Sequence, residues 1–497
     1  MSLTGMFPKI SVDSSSDTPI YRQLSSRIKE LVQSGKLVKG DRLPATRELA
    51  GLLGLNRTTV SAAYELLETE GLIRGHVGRG SFVSTEAGAG LASIVWDDIL
   101  PASEAATAPP PAHAPDLISF ATSRPAEELF PLAAFRQTCE EVLSGPQAAA
   151  VLQLGSPAGY APLREFLLEK ARREGVARAS DDVIITNGCQ QALDLIQRVL
   201  VRPGDTVLVE DPVYPGLKNL FPRAGAQLIG AAVGPDGLDI EELERLLARH
   251  RARLLIATAN FQNPTGATLP VAERLALLRL ARAAGAVVVE NDIYGELRYE
   301  GAPAPPIKQL DQSGDTVLLR SFSKVTFPGL RVGWIIGPRP LVARLAEAKQ
   351  SCDLHTDQLS QAVLLRFAES GRLEAHRARV VAAGAERLRA VLAACERQLP
   401  PGTFFTRPRG GMNLWVRLPE PLDAAELLSR AQREGVAYLP GRYFEISHHH
   451  PGALRLSFAG LAPEKIRAGL KILGRIFAGE LEQARARVRY EPAPAMV

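Results

Sequence analysis

Residues 286–294 read AVVVENDIY, and the fold of most of the chain turns on how this run is built. Three consecutive valines followed at once by polar residues describe a buried strand, and its C-terminal end delivers Asp292 and Tyr294. The same pattern recurs in VIITNG (183–188), TVLVEDP (206–212), LLIATAN (254–260) and TVLLRSFSK (316–324), with amphipathic helical stretches between. Strand and helix in alternation from Asp116 onward predict an α/β domain built on a doubly wound, mostly parallel sheet, whose ligand site lies at the C-terminal strand ends.

The chemically suggestive residues stand at those ends. In TNGCQQAL (186–193), Gly188 opens a helix whose free N–H groups and dipole favour an anion. In EDPVYPG (210–216), Tyr214 follows a strand, where its ring can stack on a flat cofactor. QNPTG (262–266) puts Asn263 at the next strand end, and SFSK (321–324) presents Ser321, Ser323 and Lys324 in one turn, with Arg331 seven residues later. A lysine forms a Schiff base with an aldehyde, a carboxylate holds a pyridinium nitrogen protonated, and Asn with Tyr can bond a phenolic oxygen. Serines, an arginine and a helix N-terminus hold a phosphate. Singly these are ordinary loop and cap residues; together they meet the requirements of pyridoxal 5′-phosphate (PLP).

From Leu117 to Leu473 the chain resembles fold type I aminotransferases of the aspartate aminotransferase class, which implies a smaller C-terminal α/β subdomain behind the large sheet. The resemblance implies that Lys324 carries the cofactor, Asp292 pairs with its pyridine nitrogen, Asn263 and Tyr294 contact the phenolic oxygen, and Tyr214 stacks on the ring. It places Gly188, Cys189, Gln190, Ser321, Ser323 and Arg331 around the phosphate, and gives Arg455 in LRLSF (454–458) the α-carboxylate of an amino acid. The chain departs from the family at Leu154, where a tyrosine often reaches the partner subunit's phosphate, at Cys189, where a hydroxyl residue is common, and near Gly384, where a tyrosine is expected. Gly216 stands where GABA-responsive relatives carry an arginine, which makes GABA a less attractive effector.

The N-terminal segment has a different character. Of the formal net charge of +4, residues 1–85 hold +3, with eleven Lys and Arg against eight Asp and Glu. Ile20, Leu24, Ile28, Leu31 and Val32 follow helical spacing up to Gly35; TRELAGLLG (46–54) offers a short helix with Thr46 as N-cap; a third helix runs from about Arg57 to Glu70 behind Asn56, burying Val60, Ala63, Tyr64 and Leu67. GLIRGHVGRGSFVS (71–84) reads as a hairpin carrying Arg74 and Arg79. Helix-turn-helix spacing followed by a basic hairpin points to double-stranded DNA. The run LPATRELAGLLGLNRTTVSAAYELLETEGLIRGHVGRGSFV (43–83) resembles the winged helix-turn-helix of GntR-type regulators. That resemblance implies DNA contact by Arg47, Arg57, Thr58, Thr59, Gly78 and Arg79.

Residues 86–115 hold five prolines, nine alanines and no Lys or Arg, the composition of a connector. Within it SIVWDDIL (93–100) is apolar enough for Trp96 to dock on a domain surface. Three domains follow: a reader over 1–85, a linker over 86–115, and a cofactor-binding, dimerising domain over 116–497. Hydrophobic residues make up 46% and charged residues 23% of 497, which excludes extensive disorder; no apolar run is of membrane-spanning length, and no charged-then-apolar leader opens the sequence. A cytoplasmic protein is expected. The four cysteines form no ligand-like pair, His448 to His450 read as a solvated loop, and ARARVR (484–489) as an exposed helix face, so no metal is expected.

A GntR-like reader joined to an aminotransferase-like domain is the architecture of MocR/GabR-type regulators. The resemblance implies a homodimeric, PLP-dependent transcriptional regulator whose effector is an amino compound or PLP itself. Two other readings remain open in the sequence: a working aminotransferase with an appended reader, since Lys324 and Arg455 are intact, and a plain repressor whose large domain only dimerises.

Overall fold

The computed structural model describes residues 10–13, 16, 18–76, 80–84, 96–100 and 116–490. The chain forms two compact units, Met1–Glu104 and Ala105–Val497. The division falls inside the stretch whose composition reads as linker. Trp96 opens a one-turn helix, Trp96–Ile99, and at 62% exposure it stands in solvent rather than docked.

In the first unit, helices α1 (Ile20–Gln33), α2 (Thr46–Leu53) and α3 (Arg57–Thr69) precede a hairpin of β1 (Ile73–His76) and β2 (Gly80–Val83). Leu24, Ile28 and Val32 of α1 pack on Val60, Ala63, Tyr64 and Leu67 of α3, one apolar stripe against another. Gly54 ends α2 in the left-handed region at φ 65°, and Asn56 caps α3 by accepting from the Thr58 N–H at 3.1 Å. The cap of α2 differs from expectation: Thr46 is its first residue, Ala45 occupies the cap, and Glu48 reaches back to accept the Ala45 N–H at 3.4 Å. The Tyr64 hydroxyl donates to Pro44 O at 2.9 Å, pinning α3 to the entrance of α2. In the hairpin Ile73 faces Val83 and His76 faces Gly80.

Ile118–Ser119 (β3) opens the second unit. Its main sheet comprises β4 (Asp181–Thr186), β5 (Thr206–Asp211), β6 (Gln227–Gly234), β7 (Gly237–Leu238), β8 (Ala252–Ala257), β9 (Val287–Asn291), β10 (Val317–Ser321) and β11 (Gly333–Pro338), in the order β4-β11-β10-β9-β8-β5-β6-β7. Strands β10, β9, β8, β5 and β6 run parallel, while β11 is antiparallel to both β10 and β4. The five strands read from sequence are all present; β6, β7 and β11 join them. Helices cover both faces, as a parallel sheet requires. Along β9, Val287 and Val289 pack with Ile196 and Ile256 on one face, and Val288 packs with Leu255 and Leu277 on the other. A smaller sheet of β12 (Phe404–Phe405), β13 (Asn413–Arg417), β15 (Leu439–Pro440) and β16 (Ala453–Ser457) forms the C-terminal subdomain, and β14 (Val436–Ala437) pairs with β3.

Glu210, near the end of β5, is buried and meets no basic partner among the described residues; it accepts from the Thr258 N–H at 2.9 Å and from Gln262 Nε2 at 3.2 Å. Burial pushes its carboxyl from its ordinary 4.5 to about 7. The folded form therefore holds the proton more tightly than the unfolded chain, so the stability it contributes is full below pH 4.5 and is lost as the pH rises to about 7. Glu210→Gln mimics the protonated form. Its Tm relative to wild type is expected to be higher at about pH 8 than at about pH 5; a gap that stays constant or shrinks contradicts the assignment.

Candidate cofactor pocket and DNA-reading surface

One end of the pocket is built from two connections, the one after β4 and the one between β10 and β11. After β4 the chain turns through Asn187, and Gly188 begins the helix Gly188–Leu200 with φ 75°. A Cβ at Gly188 would stand 2.3 Å from Arg331 Nη2, so only glycine lets that guanidinium cross the helix start. Arg331 itself sits at φ 55°, uncommon for a non-glycine residue, and its Nη2 donates to Asn187 O at 3.4 Å. After β10, Ser321 Oγ accepts from the Ser323 N–H at 3.1 Å and lies 2.9 Å from Ser323 Oγ. Two hydroxyls, a guanidinium and a helix N-terminus thus converge.

Deeper in, Lys324 closes the one-turn helix Phe322–Lys324, donates from Nζ to Ser123 O at 2.7 Å, and sits 5.6 Å over the Tyr294 ring centroid. Tyr294 Oη is 3.4 Å from Ser123 Oγ. Asn263 accepts on Oδ1 from Arg455 Nη1 at 3.0 Å. Arg455 is 4% exposed, its Nη2 donates to Ala121 O, and its Nε has no partner. Burial lowers its pKa to about 10 against the opposing pull of Tyr294 and Tyr214, and no carboxylate pairs with it among the described residues. An unpaired buried guanidinium is costly unless a ligand supplies the anion. Burial also pushes the Tyr214 hydroxyl up and the Cys189 thiol to about 12, so Cys189 stays a neutral thiol 3.5 Å from Arg320 O.

Tyr214, Cys189, Gln190, Asn263, Tyr294, Ser321, Ser323, Lys324, Arg331 and Arg455 all line one cavity of about 480 Å³. Gly188 stands behind it, against Arg331. Asp292 does not reach it. Its Oδ1 accepts from Asn260 Nδ2 at 2.9 Å, and its Oδ2 accepts from Arg320 Nε at 3.1 Å and Nη2 at 2.9 Å. The cause is the pleat: 287, 289 and 291 share the face of the Gly188 helix, whereas 288, 290 and 292 turn away. The residue that enters the cavity is Asn291, 5% exposed, with its Oδ1 unpartnered. Asp292 is the carboxylate expected at the ring nitrogen from residue chemistry, but Asn291 holds the cavity-facing position, and strict alternation along VVVEN is the signal for it. The wall is completed by Ala121 to Ser123, a loop far in sequence and not among the expected site residues.

The departures from the family pattern have structural counterparts. Leu154 is 73% exposed and lies outside the cavity lining. A Cβ at Gly384 would stand 2.3 Å from Tyr299 Cζ, so helix and ring leave no room for a side chain there. At Gly216 a Cβ would stand 2.3 Å from Tyr214 Cε1 and 2.4 Å from Gln190 Oε1, which excludes an arginine unless Tyr214 moves. His448 Nδ1 lies 3.3 Å from Asp211 Oδ2, and Asp211 also accepts three backbone N–H groups of this loop, from Ile446, Ser447 and His448. Among the described residues no group of three potential ligands gathers to hold a metal.

On the first unit, Arg57, Thr58 and Thr59 form the opening turn of α3, with Arg57 and Thr58 exposed and Thr59 half-buried. Arg47 is exposed in the first turn of α2. Short donors and a forked guanidinium at the start of an exposed helix suit base edges in a major groove. Gly78 and Arg79 lie outside the described residues.

This fold and pocket define a PLP-dependent aminotransferase domain appended to a DNA reader. Residues 118–473 match the family model "Aminotransferase class I and II", and residues 20–83 match "Bacterial regulatory proteins, gntR family". The chain belongs to the aminotransferase class I and II family, and with its reader it is a PLP-dependent transcriptional regulator of the MocR type. It is 31% identical to the probable rhizopine catabolism regulatory protein MocR of Rhizobium meliloti, over 94% of this chain and 95% of that protein. Over 74% of this chain and 89% of the relative, it is 36% identical to aromatic-amino-acid aminotransferase 1 of Thermococcus litoralis. Among solved structures, kynurenine aminotransferase of Pyrococcus horikoshii, in complex with PMP, matches with a TM-score of 0.71 and 37% identity, over 74% of this chain and 92% of that one.

Gly188→Ala places a methyl group against Arg331 at a backbone angle that costs an L-residue about 1–2 kcal/mol. PLP affinity, measured by absorbance titration, is expected to fall by about tenfold; an unchanged Kd removes Gly188 from the anion cradle.

Proposed function

We propose that this chain, as a cytoplasmic homodimer, binds PLP in the 480 Å³ cavity, binds a small amino compound there in turn, and converts that event into altered affinity for operator DNA. The observation that carries the reading is a cavity entered by Lys324, Arg331 and Arg455 and by no described carboxylate, in the same chain as a GntR-type reader. Such a cavity selects a ligand with two anionic ends, a phosphate at Arg331 and a carboxylate at Arg455. No helix among the described residues is long and apolar enough to cross a membrane.

Ser321, Ser323, Arg331 and the start of the Gly188 helix hold the phosphate in this account, Tyr214 covers one ring face, and Asn263 with Tyr294 meets the phenolic oxygen. PLP supplies an aldehyde that condenses with primary amines and a ring that withdraws electrons. Lys324 Nζ is the amine of this chain that would hold the aldehyde and give way to an incoming amine, and Ser123 O accepts from it at 2.7 Å. Arg455 fixes the carboxylate of an α-amino acid and so sets which amine is presented. Asn263, Asn291, Tyr294 and Arg455 form the buried wall of the cavity, and Arg331 stands at its exposed side. The reader contributes Arg47, Arg57, Thr58 and Thr59, and two readers in a dimer favour repeated half-sites. Regulation requires that the ligand bind the DNA-competent and DNA-incompetent conformations with different affinity, and the freeing of Lys324 is the local change available to create that difference.

The test is an absorbance titration with PLP and D- or L-amino acids, run beside DNA binding to the gene's own upstream region. Wild type is expected to show a lysine-bound PLP band that candidate amines shift, together with a change in DNA affinity. In Lys324→Ala the band and the amine-dependent change both disappear. Regulation that survives intact in Lys324→Ala contradicts the reading, and steady conversion of an amino acid with a 2-oxo acid favours a working aminotransferase.

A further inference from the structure

The wall that faces a bound ring carries an amide where electron-sink chemistry needs a carboxylate. We propose that Asn291 meets the pyridine nitrogen of the bound cofactor and leaves it unprotonated, so that the site holds amino compounds without efficiently converting them. The inference rests on the PLP reading above and says which half of that chemistry this chain has kept.

Three observations support it. Asn291 is the polar residue that β9 delivers into the cavity, and its buried Oδ1 has no partner. The nearest carboxylate, on Asp292, is turned to the opposite face of the strand and engaged by Asn260 and Arg320. The charged groups that line the cavity, Lys324, Arg331 and Arg455, are all cationic. A carboxylate stabilises a pyridinium by Coulomb attraction in a low-dielectric site; a carboxamide carries no charge, and its NH₂ can donate to a neutral ring nitrogen. No described carboxylate lines the cavity to favour a proton on the ring nitrogen.

The consequence divides binding from turnover. Condensation of an amine with the aldehyde needs Lys324, the phosphate cradle and Arg455, and all are present. Removal of the α-proton leaves an electron pair that only a protonated ring accepts readily, so that step is slowed. Exchange of amine for Lys324 therefore remains reversible, and a ligand that reports its concentration is not consumed.

The primary measurement uses wild-type full-length protein loaded with PLP labelled with ¹⁵N in the ring, read by NMR. A pyridine-like ¹⁵N shift is expected, and a pyridinium shift overturns the inference while leaving the regulatory reading intact. Absence of any lysine-bound PLP refutes both together. Asn291→Asp is expected to move the shift to the pyridinium position, tighten PLP binding at least several-fold and raise the single-turnover rate of α-proton exchange tenfold or more. Asn291→Ala keeps the neutral shift. If Asn291→Asp is folded, binds PLP and leaves the shift at the neutral position, Asn291 does not face the ring nitrogen. Should that variant fail to fold, the wild-type shift still decides the matter.

Discussion

Arg455 is a buried cation that no carboxylate among the described residues neutralises. It hangs on neutral oxygens, Asn263 Oδ1 and Ala121 O, with one nitrogen unpartnered and its pKa depressed by burial. A charge in that position is an unfilled requirement, because the protein gives up its hydration without giving it a counter-ion. Lys324 and Arg331 share the cavity and sharpen the same demand. What surrounds them follows: Gly188 must lack a side chain for Arg331 to lie where it does, and two serines and a helix N-terminus point at the same spot. The proposed occupants, a phosphate-bearing cofactor and an amine that carries a carboxylate, match that charge arrangement.

Much of this was legible from residue order. Strands β4, β5, β8, β9 and β10 were readable because each is a buried β-branched or leucine run closed by polar residues, and their C-terminal ends and the loops that follow carry Tyr214, Asn263, Ser321 and Lys324. The first unit was readable from helical spacing, since the predicted stripe Val60, Ala63, Tyr64 and Leu67 is the buried face of α3. Strands β6, β7 and β11 were not singled out. In β11 the apolar run WIIG sits too close to Arg331 to announce a separate element.

The one misassigned residue of the pocket shows where such reading stops. Residue chemistry alone favours Asp292, but a shift of one position on a pleated strand carries a side chain from one face to the other. Asn291 and Asp292 are neighbours in sequence, yet one enters the cavity and the other joins the Asn260 and Arg320 network behind the sheet. Thr46 is a smaller case of the same kind: the helix begins one residue earlier than its best capping side chain suggests, and Glu48 satisfies the vacant N–H instead.

A DNA reader and an amine-reactive pocket in one chain make regulation a matter of linkage, and linkage is reciprocal. The most direct measurement is therefore the affinity of the PLP-loaded protein for its amine, by calorimetry, with and without its own upstream DNA bound. DNA is expected to change amine affinity by the same factor by which amine changes DNA affinity. Identical amine affinity in both states would contradict it, because a ligand that does not distinguish the two states cannot shift them.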